Sequence, residues 1–390
     1  MYTEVARLQR NLSLYARLCG RTDAVVQNAM ASVNQRILGE YHLARLRAVC
    51  RAAPRSSFWR KKLGSVGRIR ELQDIERIPI TSRAEIDEIT DSGRLDELIA
   101  RARHQKMHRI TSGGIGHKAK FVSVMTSKEY RFHLADIIRM FLANGIDPSS
   151  SMVSTLPGRY VKPKWVADMI REMHGNLSEY VGDHVAGTVL CDAAKLFGLR
   201  FISTGLPLAA YKVSQQLAEQ ESERLMMVIE RERPQILATS PNLLTNSILP
   251  CMMRKEAAFA RLGVNKIIVA GSALSPQIVH SIRSQGTDVI SWVESGEVCT
   301  IAYSTGTAGG HRRLVPTHFT NFFEIVDEDG KPVPINQKGR VIATRLATTA
   351  QPLIRFDLED EAYFVRHLGR ILFDCRYGRA GKGSTFPLIS

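Results

Sequence analysis

The chain has 390 residues, 44% of them hydrophobic and 23% charged, a balance that excludes a disordered or fibrous chain and allows a large core in more than one lobe. Its formal net charge is +15 and its pI about 9.7, which favours anionic partners such as nucleotides, nucleic acid, acidic lipid or acidic protein without choosing among them. Six scattered cysteines (Cys19, Cys50, Cys191, Cys251, Cys299 and Cys375) show no CxxC spacing, which argues against structural zinc and a disulfide framework and fits a reducing cytoplasm.

The opening stretch MYTEVARLQRNLSLYARLCG has no apolar core of signal-peptide length, and no later run is long enough to span a membrane. Residues 1–65 have helical periodicity and are rich in Arg, Ala and Leu, so two or three helices are expected, ending near Pro54–Gly64. The basic runs Arg45–Arg55 and Arg60–Lys62 lie among apolar residues. They read as solvated helix faces rather than a nucleic-acid site, because no RNP-like, finger-like or helix-turn-helix pattern accompanies them. IERIPITSRAEIDEI follows, with Thr81-Ser82 placed to cap a helix and Glu85 placed for a capping box.

Next comes RITSGGIGHKAKF, Arg109 to Phe121. Its glycines Gly113, Gly114 and Gly116 expose backbone N–H groups, Thr111 and Ser112 offer hydroxyls, and Lys118 adds charge. The spacing fits neither a Walker loop nor a dinucleotide turn. Taken alone, the loop suits a hairpin turn as well as a phosphate cradle.

From Phe121 to Gln285, short apolar runs (FVSVM, SMVSTLP, LRFIST, QILATSP, KIIVAGS, DVISWV) alternate with helical stretches such as Ala209–Pro234. This alternation predicts βαβ units and a largely parallel sheet, with ligands at the carboxyl ends of its strands. Beyond Gly306 the texture becomes alternating apolar and polar residues around Asp-Gly and Pro turns, predicting antiparallel hairpins. The expected units are a helical segment (1–70), an α/β nucleotide- and acid-binding lobe (71–310), and a β-rich, barrel-like subdomain (311–390), with a boundary near 305–315.

Read in order, these stretches resemble the adenylate-forming superfamily: acyl-CoA synthetases, nonribosomal adenylation domains and luciferases. The loop at 111–118 is similar to that family's phosphate loop, with Gly114 and Ile115 in place of two hydroxyl residues. CRAAPRSSFWRKKL and LQDIERIPITSRAEI resemble the entry of the phenylacetate–coenzyme A ligase branch. VAGSALSPQIV resembles the strand and loop lining the adenine pocket, SWVESGEVCTIAY stands where the family has YGxTE, and KGRVIATRL is similar to GELVVTxL. QPLIRFDLEDEA is close to PLIRYRTRDL, the most specific single piece, and RYGRAGK resembles GRxDD. The likeness runs from about residue 45 to 386.

The resemblance implies an adenylate-forming α/β fold, ATP/AMP and Mg²⁺ as cofactors, and a coenzyme A or carrier-protein thiol as acceptor. Thr111, Ser112, Gly113, Gly114, Gly116 and Lys118 would hold phosphates, with Lys118 and Glu297 catalytic and Glu297 also the metal ligand. Gly271, Ser272, Ala273 and Trp292 would line the adenine pocket, and Asp360 would accept from the ribose hydroxyls. Arg379 fits the ribose or phosphates, or equally a strand-end cap. The acid is expected near Ser154–Tyr160, Ser203–Pro207 and Thr239–Leu244, and an aromatic or other small acid of secondary metabolism is the expected type. His133, His174 and His184 are candidate polar groups of that site, but a lone histidine is more often structural and none takes an assigned role.

The family continues past its GRxDD motif into a lid domain with a catalytic lysine, whereas this sequence stops at Ser390. A missing lid, or one supplied by a separate protein, is therefore expected. Losing one such transition-state charge costs on the order of a hundred- to a thousandfold in rate. A non-catalytic nucleotide- or partner-binding protein of the same fold stands as the alternative, with a nucleic-acid binder a distant third.

Overall fold

The computed structural model of the protein describes residues 35–64, 68–100, 107–111, 121–156, 185–204, 215–271, 274–305, 313–367 and 370–374. The phosphate-loop residues 112–120, together with Ser272, Ala273 and Arg379, lie outside them, as do His174 and His184.

Helices α1 (Gln35–Ala52) and α2 (Ser57–Leu63) occupy the N-terminal part, as the helical periodicity predicts. Helix α3 (Arg83–Asp91) carries the expected capping box: Ser82 Oγ accepts from Glu85 N–H and the Glu85 side chain returns the bond to Ser82 N–H. The residue before it, Thr81, is tied to a distant strand, donating from its amide to Arg355 O and from its hydroxyl to Ile354 O.

Strands β1 (Met107–Thr111) and β2 (Val122–Thr126) form a separate antiparallel pair. The run FVSVM, read as the first of the parallel strands, therefore belongs to a hairpin-like ribbon. Its continuous burial matches a sheet interior, so periodicity alone does not separate the two cases. Helix α4 (Ser127–Ala143) follows at once, capped by Thr126 with Glu129.

Among the described residues the main sheet has eleven strands. One half contains β3 (Ser151–Ser154), β4 (Arg200–Ser203), β5 (Ile236–Thr239), β6 (Lys266–Ala270) and β7 (Asp288–Ser295), all parallel, in the order β4-β3-β5-β6-β7. The connecting helices are α5 (Val185–Phe197), α6 (Gln215–Glu232), α7 (Leu249–Arg254) and α8 (Pro276–Ser284). Both faces of this half are covered, so alternate residues of one strand enter different cores. On β6, Ile268 and Ala270 join the cluster built by α4 and α5, while Ile267 and Val269 join the cluster on the other face with α6. This explains the unbroken apolar runs in the sequence.

The other half is antiparallel: β8 (Cys299–Ser304), β9 (Arg313–Pro316), β13 (Arg370–Asp374), β12 (Phe356–His367), β11 (Gly339–Arg345) and β10 (Asn321–Val326). Its core is shared with the N-terminal helices, where Leu46, Trp59 and Ile78 pack with Ile325, Ile354 and Phe356. The expected boundary near 305–315 falls between β8 and β9, which pair with each other, so the sheet continues across it.

Candidate functional site

At the carboxyl edge of the parallel half, β3 runs through α5 to β4 on one side, and β4 runs through α6 to β5 on the other. The winding direction thus reverses between β3 and β5, the kind of place where open α/β sheets bind ligands. Hydroxyl residues gather there, and the local backbone explains why. Thr155 extends β3, its N–H donating to Ala238 O at 2.9 Å and its hydroxyl to Thr239 Oγ1 at 2.8 Å. Thr204 extends β4 in the same way, donating to Ser154 O. The described ends of these three strands therefore lie on one edge; residues 157–160 and 205–207 of the expected acid-binding turns lie outside the described residues.

Ser240 then caps a short helix whose continuation, Leu244–Ile248, winds as a π-helix before Pro250. Such bulges recur at functional sites. Beside it, Gly271 follows β6 with φ +112°, a conformation that favours glycine; among the described residues a Cβ there would come near Pro241 Cδ alone, at 3.8 Å. The positive φ is itself a constraint on the residue type at Gly271.

The hairpin joining β7 to β8 ends on the same edge. Its register slips by one residue between Val293 and Glu294, and Cys299 takes φ +60°. Gly296, Glu297 and Val298 form the tip, closed by Val298 N–H donating to Ser295 Oγ. The Glu297 side chain is only 6% exposed, and its Oε1 accepts from Arg83 Nη1 at 2.5 Å. Arg83 is the first residue of α3, so the capping box fixes where its side chain begins. Its guanidinium also lies over the Phe356 ring at 5.3 Å and has Nε 3.3 Å from Glu359 Oε2. Burial pulls its pKa down, but Glu297 and Glu359 outweigh that and hold it above the ordinary arginine value.

Glu359 and Asp360 lie on an irregular stretch of β12. From Arg340↔Glu361 to Ile342↔Asp357, β11 advances two residues while β12 covers four, and Glu359 takes φ +58°. The bulge interrupts pairing and re-aims side chains. Asp360 is half-buried there. One guanidinium thus links three segments that are far apart in the sequence: the start of α3, the β7–β8 hairpin and the β12 bulge.

Glu294 stands at the foot of the hairpin. Its Oε2 is buried without a hydrogen-bond partner among the described residues, and burial, then the charge of Glu297, push its carboxyl up to about 8. Beneath lies a buried polar layer that the sequence did not signal. Arg345, on β11, is fully buried and donates to Ser123 Oγ at 3.0 Å. His133 on α4 is fully buried, and burial, then the charge of Arg345, hold its pKa well below the usual histidine value, so it is neutral. Burial likewise raises Asp136 to about 6 despite Arg139 at 2.8 Å, and the Cys299 thiol to about 12.

Of the residues expected to bind nucleotide, the structure places Gly271, Glu297 and Asp360 around the carboxyl edge and the bulge. Thr111 closes β1, its backbone paired with Val122. Trp292 is 1% exposed in the core on the α4–α5 side, its Nε1 donating to Thr300 Oγ1 at 3.2 Å, so its ring faces serve packing. Arg83, Glu294 and Glu359 were missed. The capping-box signature before Arg83 was legible, but nothing local pointed to a partner 214 residues away.

The expected Mg²⁺ meets a difficulty here. Magnesium wants carboxylate and phosphate oxygens at about 2.0–2.1 Å. Glu297 already holds a guanidinium, and a dication about 4 Å from that charge would be repelled by several kcal/mol at an effective dielectric of about 20. Among the described residues no cluster of three or more His, Cys, Asp or Glu forms a metal site. As arranged, Glu297 does not fit the role of metal ligand.

No protein-family model and no curated protein matches the chain. Solved structures do match. An open conformation of 2-hydroxyisobutyryl-CoA ligase, in complex with 2-HIB-AMP and CoA, superposes with a TM-score of 0.69 at 16% identity, covering 90% of this chain and 76% of that one. The same ligase in the postadenylation state with R3-HIB-AMP gives 0.70 at 15% identity, covering 90% and 69%. In the thioesterification state with 2-HIB-AMP and CoA it gives 0.69 at 16%, again covering 90% and 69%. The shared property is the fold: this chain has the mixed α/β adenylate-forming architecture.

Proposed function

We propose that the protein activates a small carboxylic acid with ATP and passes the acyl group to a thiol. A carboxylate oxygen attacks the α-phosphorus, the bond to the bridging oxygen of the β-phosphate breaks, and pyrophosphate leaves. The thiol sulfur then attacks the acyl carbon, AMP departs, and the thiol proton goes to solvent. Such chemistry depends on positioning and charge neutralisation more than on covalent help from the protein. In this reading Thr111, Ser112 and Lys118 hold phosphates, Asp360 takes the ribose, and the hydroxyl-rich ends of β3, β4 and β5 receive the acid. An aromatic acid, an acceptor that is coenzyme A or a carrier protein, and a place in cytoplasmic biosynthesis complete it.

One observation carries the reading: on a chain with the adenylate-forming fold, the Glu297 hairpin and the Glu359–Asp360 bulge are drawn together by Arg83 at the carboxyl edge of the sheet. The solved relatives' ligands, an acyl-AMP and CoA, are consistent with it. The test is to mix the protein with ATP, a divalent cation and a panel of carboxylic acids, and to measure pyrophosphate release or acyl-hydroxamate. Acid-dependent turnover is expected. ATP or AMP binding without turnover would leave the second reading, a non-catalytic nucleotide-binding protein. That reading is favoured by the guanidinium already seated on Glu297.

A further inference from the structure

The ion pair between Arg83 and Glu297 has three properties that a loose surface contact lacks. Its two side chains are 17% and 6% exposed, so solvent screens it little. The arginine is fixed at its base by the Ser82–Glu85 capping box, and Thr81 is bonded to the strand carrying Phe356. The guanidinium is held at its tip on three sides, by Glu297 Oε1, Glu359 Oε2 and the Phe356 ring. The other carboxylates around it do not replace this arrangement. Glu294 is held in its neutral form by burial, and the charge of Asp87 favours the Arg83 cation after those of Glu297 and Glu359. Nη2 of Arg83 is buried and has no hydrogen-bond partner among the described residues, so the planar fork keeps a spare donor. A planar guanidinium with a free N–H suits phosphate oxygens.

From this geometry we infer that Arg83 is the resident cation of the site, with Glu297 as its counterion, and that nucleotide binding here does not require a divalent metal. The inference rests on the proposed nucleotide site. Glu297 is then a positioning residue: it aims Arg83 instead of ligating a metal. Replacing Arg83 with a neutral residue frees the carboxylate and should create a metal requirement where none existed.

The experiment is calorimetric titration of the full chain with ATP and with AMP, in excess Mg²⁺ and in EDTA. The wild-type protein is expected to bind ATP with dissociation constants within about twofold of each other in the two buffers. Arg83→Gln is expected to weaken binding about tenfold or more in EDTA, with Mg²⁺ restoring part of the loss. Arg83→Lys, which keeps the charge but not the fork, should retain metal independence at intermediate affinity. A gain of metal dependence is a readout that simple loss of structure would not produce, and circular dichroism checks folding. The wild-type comparison stands even if Arg83→Gln does not fold. Binding only in Mg²⁺ overturns the inference and leaves the proposed function intact. Binding in neither buffer removes the nucleotide site itself, and both readings with it.

Discussion

The two halves of the main sheet handle polar groups in opposite ways. In the parallel half, strands β3 to β6 are apolar along their middles and buried hydroxyl side chains collect where they end: Ser154, Thr155, Ser203, Thr204 and Thr239 are all buried at one edge. In the antiparallel half, charges sit inside the sheet. Arg355 is 3% exposed and makes an ion pair with Glu324, also buried, at 3.0 Å; it donates further to Ile78 O, Glu76 O and Gly330 O. Arg345 is more deeply buried still. Arg355 and Glu359, which carry two of the charges there, both take positive φ. One half shapes a floor by strand geometry, and the other spends strain to hold charged groups at fixed positions.

Several substitutions would sharpen or break that contrast. The largest effect is expected for Arg355→Met, which strands Glu324 in the core; about 3–5 kcal/mol of stability should be lost in urea unfolding, and adding Glu324→Met should recover most of it. Ile268→Ala, in a fully buried position of the parallel half, should cost about 2–5 kcal/mol by cavity formation. No partner substitution of comparable simplicity would rescue it, because nothing charged is left behind.

The third effect depends on pH. The folded Glu294 carboxyl titrates at about 8 against an ordinary 4.5. Below the lower value both folded and unfolded chains hold the proton. Above it the unfolded chain releases the proton first, so stability should fall as pH rises from about 4.5 to 8 and then level off. Glu294→Gln should flatten this decline, as read from urea midpoints across the range. Asp360→Asn is expected to weaken AMP binding about tenfold with little change in the urea midpoint. Smallest of all, Ser82→Ala should cost about 1 kcal/mol by removing the α3 cap. Its effect on AMP binding should exceed that of a surface control, because Arg83 begins at this turn.

The parallel strands β3 to β7 were legible in the sequence for a simple reason: burial on both faces leaves continuous apolar runs with polar punctuation. The Ser82–Glu85 cap was legible because its signature is local. The β2 ribbon was misplaced because a short buried run looks the same in either kind of sheet. The Arg83–Glu297 contact could not be read, since it depends on tertiary approach across most of the chain. Arg355 offers a different lesson. It belongs to PLIRF, the most specific stretch of the resemblance, yet its guanidinium is consumed by Glu324 and three backbone carbonyls. A motif can be diagnostic of a fold because it builds the fold.

The bulge on β12 carries one more consequence, one of parity. It inserts two residues opposite β11, whereas the slip between β7 and β8 inserts one. Faces of a strand alternate with a period of two, so an even insertion leaves the strand in phase on both sides and an odd one inverts it. The segment bearing Glu359 and Asp360 can therefore lengthen or shorten in pairs without turning the core of the antiparallel half inside out.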